Sequence, residues 1–371
     1  MDINNIIDYL VKSADSPEKT IKESCEKNNK EAVGWVAPYA PEEIIYAANC
    51  IPVGIWGGQV ELTKARTYLP AFACSIMQSI MEYETRGTYD LLKAVLIPAV
   101  CDTLKCFGQK WKGTCEAIPF VFPQNREAKS AEGFLESEYK YIKSRLEEIL
   151  GITITEEALQ DSIVLYNDYR AEMRRFVEIA SNRTDIITPL IRHKIIKASY
   201  FMDKKDYLEY IRELNKKLRL LPPNKSKNKR IVVTGIMLEP DGVIDYFEKY
   251  GMDIVGDDLA HESRQFRTDA PFSGSPLNSL AKRWTNHSAC SLAFDPYKER
   301  IQYLVDLVNH YKADGLVIAL MKFCDPEEYD VPVIMDRMKK ENIPLQVIEI
   351  DQQAKSFEQI NTRLQSFAEN L

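Results

Sequence analysis

The sequence predicts an α/β protein: two Rossmann-like, doubly wound domains with a helical insert between them. Three observations carry that prediction. Apolar runs of strand length alternate with helical stretches in the first third and again in the last third, as parallel strands buried on both faces do. The middle of the chain, from about 133 to 221, keeps helical spacing with no strong strand. At 371 residues the chain is long enough for two or three domains of roughly 100–200 residues each. We divide it into an N-terminal helical arm (1–30), a first α/β domain (31–132), a helical block and linker (133–226) and a second α/β domain (227–371).

The elements follow in order. Residues 2–30 read as a polar amphipathic helix with Ile6, Ile7, Leu10 and Val11 on one side. Ala32–Val36 is a short apolar strand ended by Pro38, and Pro41-Glu42-Glu43 sets proline and acids at a helix start. Ile51–Trp56 is a second strand, and Gly57-Gly58 follows as a loop. A helix over 73–86 leads to the strand Ala94–Cys101, and Pro119–Pro123 is one more strand. Helical spacing resumes with Leu135, Tyr139, Ile142 and Leu146, and continues over 156–182 and 187–220. Residues 222–230 read as an exposed connection. Strands at 231–235, 254–256, 315–320 and 345–350 then alternate with helices at 240–250, 298–310, 326–340 and the C-terminus.

Composition narrows the function. A net charge of −7 disfavours a nucleic-acid surface, which needs a basic face. No apolar run has the length of a membrane span, and the start lacks the basic-then-apolar form of a signal peptide. The chain reads as cytoplasmic, with no nucleic-acid and no membrane partner. In that reducing compartment its eight cysteines are thiols rather than four disulfides.

Ligands of open α/β sheets gather beyond the carboxyl ends of the strands. Cys101 closes one strand there and Cys324 follows another, each with an acid and a helix start after it. In the second, Asp325 suits an N-cap, Pro326 the first turn and Glu328 a capping-box partner. Cys74 lies just inside a predicted helix start, where backbone N–H groups favour a thiolate. Three such thiols facing one cleft suit an iron–sulfur cluster with three protein ligands. The competing reading is that they are ordinary core cysteines. Cys106, about one turn beyond Cys101, is a second candidate for the middle position; Cys25, Cys50, Cys115 and Cys290 read as buried small residues.

Other features read as structural. Asp257-Asp258 are expected as solvated loop acids, and His261 to Asp269 as a polar cluster, structural or interfacial. His193, His287 and His310 stand isolated, at surface or helix positions. Val233-Thr234-Gly235 lacks the spacing of a dinucleotide fingerprint, and no nucleophile elbow is present.

The strings Ala40–Ile45, Pro52–Gly58, Pro70–Ser75, Cys101-Asp102-Thr103 and Lys322–Asp330 resemble the 2-hydroxyacyl-CoA dehydratase family, whose wider circle includes benzoyl-CoA reductases. So do Glu349–Gln353 and Asn361-Thr362-Arg363. Chain length and the Trp56–Gln59 and Phe72–Ser75 strings look more like the β subunit than the α subunit. The resemblance implies an αβ heterodimer of anaerobes fermenting amino acids, each subunit holding a [4Fe–4S] cluster on three cysteines. It implies a separate ATP-dependent iron–sulfur activator protein that injects one electron, and conversion of an (R)-2-hydroxyacyl-CoA to the (E)-2-enoyl-CoA. The substrate then sits mainly in the α subunit while the β cluster relays the electron. By that analogy Cys74, Cys101 and Cys324 are the cluster ligands, with Cys106 the open alternative, and no side chain of this chain is catalytic in its own right.

The chemistry explains the need for such a cofactor. Dehydration breaks a β C–H bond that no adjacent carbonyl acidifies, and acid–base catalysis supplies only about 10²–10⁴-fold. One electron added to the thioester carbonyl gives a ketyl radical anion that expels the α-hydroxyl and acidifies that bond; the electron is returned afterwards. Two alternatives remain at this level: a homodimeric double-cubane-cluster ATP-dependent reductase of the same family, and a non-enzymatic α/β scaffold. The acyl group is not legible, because glutaryl, isocaproyl, phenyllactyl and lactyl types share these motifs.

Overall fold

Two four-stranded parallel sheets, each with helices packed against it, organise the computed structural model, which describes residues 2–222, 224 and 226–371. Pro223 and Lys225 of the expected connection lie outside the described residues. The N-terminal arm forms α1 (Ile3–Asp15) and α2 (Pro17–Asn28). The first half then runs β1 (Glu31–Val36), α3 (Glu42–Ala47), β2 (Cys50–Ile55), α4 (Ser75–Thr85), β3 (Ala94–Pro98), α5 (Asp102–Lys110) and β4 (Glu116–Phe120). Four helices follow: α6 (Ala131–Leu150), α7 (Glu156–Ala180), α8 (Pro189–Ala198) and α9 (Lys204–Arg219). The second half opens with β5 (Lys229–Gly235), α10 (Asp241–Lys249), β6 (Met252–Leu259), α11 (Ser263–Phe266) and α12 (Pro276–Thr285). It closes with α13 (Glu299–Tyr311), β7 (Gly315–Met321), α14 (Asp325–Lys340), β8 (Leu345–Ile350) and α15 (Glu358–Asn370).

The strand orders are β2-β1-β3-β4 and β6-β5-β7-β8, the same pattern twice. In each sheet the chain steps one way from the central strand and then returns to the other side, creating a switch point at the strands' carboxyl ends. Every strand is buried on both faces except at β4 and β8, which is why the runs read as continuous apolar stretches. Strand β2 is an edge, covered where the Gly54 N–H donates to the Tyr200 carbonyl (3.0 Å) and where a Cβ on Gly54 would strike the Tyr200 ring. One apolar core runs through both halves, joining Val33, Trp35 and Ile97 to Val233, Val317 and Ile348. A second core packs Ile6 and Leu10 of α1 against Tyr166, Phe176, Ile195 and Ile211 of the helical block.

Several expectations shift. The single arm helix is two, because Pro17 removes an N–H and starts α2 at its first turn. The fourth strand lies at Glu116–Phe120 rather than 119–123, with Phe122 packed on Trp284. Strand β5 begins at Lys229, inside the expected connection. Helix α12 has a clear start in Ser275-Pro276, whose serine accepts the Asn278 N–H, in a stretch that carried no predicted element. Among the described residues no helix is long and apolar enough to cross a membrane.

Candidate metal centre

Cys74, Cys101 and Cys324 are the N-cap residues of α4, α5 and α14. Cys101 and Cys324 occupy equivalent places, each opening the helix after the third strand of its half. For Cys324 the expectation was one residue off: the N-cap is the cysteine itself, its carbonyl accepting the Glu328 N–H (3.0 Å), and Asp325 is the first helical residue. Phe323 just before it takes a φ of 63°, a left-handed turn that is costly for a side-chain-bearing residue.

Cys74 has no strand beneath it, so other contacts fix it. Ser75 donates to the Met321 sulfur (3.1 Å) and accepts the Gln352 N–H (3.1 Å), fastening the start of α4 to the ends of β7 and β8. The preceding loop is held by buried Glu82, which accepts the N–H groups of Thr63 (2.9 Å), Lys64 (2.8 Å) and Ala65 (2.9 Å) and the Thr63 hydroxyl (2.7 Å). Burial alone would raise the Glu82 carboxyl, but these donors and Arg86 outweigh it and hold the pKa at about 2. Gly57 is required in the same loop: its φ is 73°, and a Cβ there would meet the Ser79 hydroxyl at 2.1 Å.

Around Cys324 the support is ionic. Glu327 accepts from Ser291 (2.6 Å), Arg300 (2.7 Å) and Arg264 (3.2 Å), all within the fold. Both arginines also reach Asp258, which Arg267 and the Thr234 hydroxyl join. Asp257 and Asp258 are therefore not solvated loop acids. They end a fully buried strand, β6, and are matched by arginines brought in on α8, α11 and α13.

The electrostatics tie the three thiols together. Burial raises each; Cys74 is pushed up to about 11, Cys324 well above the usual thiol value. Backbone N–H groups of the helix starts act in the opposite direction on every one of them: Ile76 and Met77 on Cys74, Thr103 and Leu104 on Cys101, Glu327 on Cys324. Charge on Cys101 bears on Cys74, and charges on Cys74 and Cys101 bear on Cys324. Each of these three cysteines, remote in sequence, thus opens a helix and is acted on by the N–H groups of that helix start. Cys106 is exposed on α5, away from the face that buries Leu104 and Phe107. Cys50, Cys115 and Cys290 are buried and Cys25 partly so.

Among the described residues the three donor atoms that lie within 4.8 Å of one another are those of His193, His261 and Glu262, not the three cysteine sulfurs. That group has an internal explanation. His193 bridges Glu262 (2.9 Å) and Glu239 (3.1 Å); burial opposes its charge, yet the two carboxylates raise its pKa above the ordinary histidine value. Arg192 pairs with Asp257 and Glu262, and Lys197 with Glu239 (2.5 Å). The sequence reading missed this strut and took His193 and His287 as isolated positions; both are buried. The available signal was the Arg192-His193-x3-Lys197 spacing, which puts three basic side chains along α8 opposite acids at or beyond the ends of strands.

Comparison with known proteins agrees with the strings that carried the resemblance. Residues 38–371 match the family described as 2-hydroxyglutaryl-CoA dehydratase, D-component. The chain is 44% identical to the lactoyl-CoA dehydratase subunit beta of Anaerotignum propionicum, over 100% of this chain and 99% of the relative. It is 41% identical to the (R)-phenyllactyl-CoA dehydratase beta subunit of Clostridium sporogenes, over 96% of each. It is 35% identical to the (R)-2-hydroxyglutaryl-CoA dehydratase subunit beta of Acidaminococcus fermentans, over the full length of both. The chain belongs to the 2-hydroxyglutaryl-CoA dehydratase D-component family and is a dehydratase subunit of the β type.

Proposed function

We propose that this chain is the β subunit of an oxygen-sensitive, heterodimeric (R)-2-hydroxyacyl-CoA dehydratase, and that Cys74, Cys101 and Cys324 hold a [4Fe–4S] cluster. The observation that carries the reading is the shared position of the three cysteines at helix N-caps, each within reach of another's charge. The residues fit the group: three soft sulfur donors, with helix N–H dipoles aimed at them to offset thiolate charge. Bound there, the cluster supplies single electrons of low potential to a reaction centre on the partner subunit.

The protein's own residues do the rest. The three thiols are partly buried, the Glu82-held loop keeps Cys74 in place, and the Arg264–Glu327–Arg300 network fixes the start of α14. Phe72 and Phe323, close in sequence to Cys74 and Cys324, are exposed large aromatic side chains, as are Tyr297 and Tyr329. Exposed aromatic surface of this kind favours a covering protein, which we assign to the α subunit, with the ATP-dependent iron–sulfur activator reaching the assembly from outside. The thiols, with no disulfide among the eight cysteines, favour a cytoplasmic setting.

The test is anaerobic co-expression with an α-type dehydratase subunit, followed by an assay of (R)-lactoyl-, (R)-phenyllactyl- and (R)-2-hydroxyglutaryl-CoA with activator and ATP. The reading predicts a 1:1 complex and enoyl-CoA formed from one of the three. A homodimer that ignores the α chain and turns over none of them overturns it.

A further inference from the structure

A cavity of about 200 Å³, with no cysteine in its lining, lies between α2, the end of β2, the α4–β3 connection and α8. Its walls are apolar: Ile21, Val53, Ile55, Leu92 and Phe201 are all at most 9% exposed. Its mouth carries Glu18 and Thr88, which are exposed, so it is reachable from solvent. The polar groups further in are Lys197, already paired with Glu239, Tyr83, whose hydroxyl donates to the Gln59 carbonyl (2.9 Å), and Tyr89, together with Trp56 and His261. Trp56 is 5% and His261 0% exposed, and their rings adjoin at 4.6 Å.

Those two side chains break the rule that buried polar groups are paired. Neither the Trp56 indole nitrogen nor either ring nitrogen of His261 has a hydrogen-bond partner among the described residues. Every other charged group at this end of the cavity is matched: Lys197 and His193 by Glu239, His193 and Arg192 by Glu262, Arg192 by Asp257. The His261 ring itself is neutral, held near a pKa of about 3 by burial and by the cations of His193 and Lys197. An anion entering here would meet no unmatched cation, whereas a neutral oxygen would meet two unused donors.

We propose that this cavity binds a small uncharged amphiphile, one apolar ring or short branched chain bearing a hydroxyl or carbonyl oxygen, which Trp56 and His261 hydrogen-bond. Size agrees: a dry cavity of about 150 Å³ holds benzene, and this one has room for a ring with a one-carbon polar substituent. No cysteine lines the site. Its location against Gly57, whose loop packs on α4 at Ile76 and Ser79, places it within reach of the helix that begins at Cys74.

The test is calorimetric titration of the full chain with benzyl alcohol, toluene and benzoate, with tryptophan fluorescence followed in parallel. We expect saturable binding of benzyl alcohol, about ten-fold tighter than toluene for the buried hydrogen bonds, with benzoate weaker than the alcohol. His261→Leu removes the preference for the alcohol over toluene, and Leu91→Trp, at the partly exposed rim, abolishes binding of all three while leaving His261 in place. No saturable binding, benzoate as tight as the alcohol, or an alcohol preference that survives His261→Leu overturns the proposal. If His261→Leu does not fold, unchanged affinity in Leu91→Trp overturns it on its own.

Discussion

The two halves have the same strand order but secure their cysteine-bearing helices by different means. In the first half a loop with no strand under it is gathered by one carboxylate, Glu82, accepting three consecutive backbone N–H groups. In the second half Cys324 follows a central strand after a two-residue turn, and the helix it opens is anchored by a buried network of Glu327, Asp258, Arg264 and Arg300. The difference teaches that a strand end needs only its helix pinned, whereas a loop cysteine needs its own backbone organised. It also makes the second half sensitive to charge and the first to local backbone loosening.

The largest effect is expected where buried charges lose a partner. Arg300→Met leaves Glu327, Asp258 and Asp330 under-matched inside the fold and costs about 3–5 kcal/mol in urea unfolding; a loss below about 1 kcal/mol would place the network among surface-like pairs. Glu82→Gln is milder, about 1–3 kcal/mol, and local. Hydrogen exchange at Thr63, Lys64 and Ala65 accelerates while protection in the second sheet is unchanged; uniform acceleration would erase the contrast between the halves.

The pH dependence sharpens the same comparison, because all four histidines lie at or beyond residue 193. Burial lowers His261 to about 3 and His287 well below the ordinary value. Each contributes stability present above an unfolded pKa of about 6.5 and lost as pH falls toward the folded value. His193 has the opposite sign: burial opposes its charge but Glu239 and Glu262 raise its pKa, so its contribution is full below the unfolded value and disappears as pH rises through the folded one. Melting temperature therefore peaks near neutrality, and His287→Gln makes the acid limb shallower; an unchanged limb contradicts the assignment. The Glu82 support, with its pKa held at about 2, persists throughout this range and is lost only as pH falls below about 4.5 toward 2. The smallest effect is Cys106→Ser, within about 0.5 kcal/mol, since that side chain is exposed.

Much of this was legible before the fold. The strand runs stand out because both faces of each sheet are covered, leaving no polar alternation to blur them. Cys101 and Cys324 were readable as a pair because one closes a strand run and the other follows shortly after one. Asp257-Asp258 misled because two adjacent acids look solvated until Arg192, 65 residues from Asp257, and Arg264, Arg267 and Arg300, the last 42 residues from Asp258, arrive to match them. His193 misled for the same reason: its partners Glu239 and Glu262 lie 46 and 69 residues away, beyond any local pattern. The Trp56–His261 cavity was illegible, since a missing partner is a property of the packed interior alone.

The central claim is that three thiols share one inorganic core. Anaerobic reconstitution with iron and sulfide, followed by iron and acid-labile sulfide analysis per chain, tests it most directly. We predict about four of each in the native chain and in Cys106→Ser, and loss of most of both in Cys74→Ala, Cys101→Ala and Cys324→Ala. Retention of iron in Cys101→Ala with its loss in Cys106→Ser, or a native chain that takes up none, would contradict it.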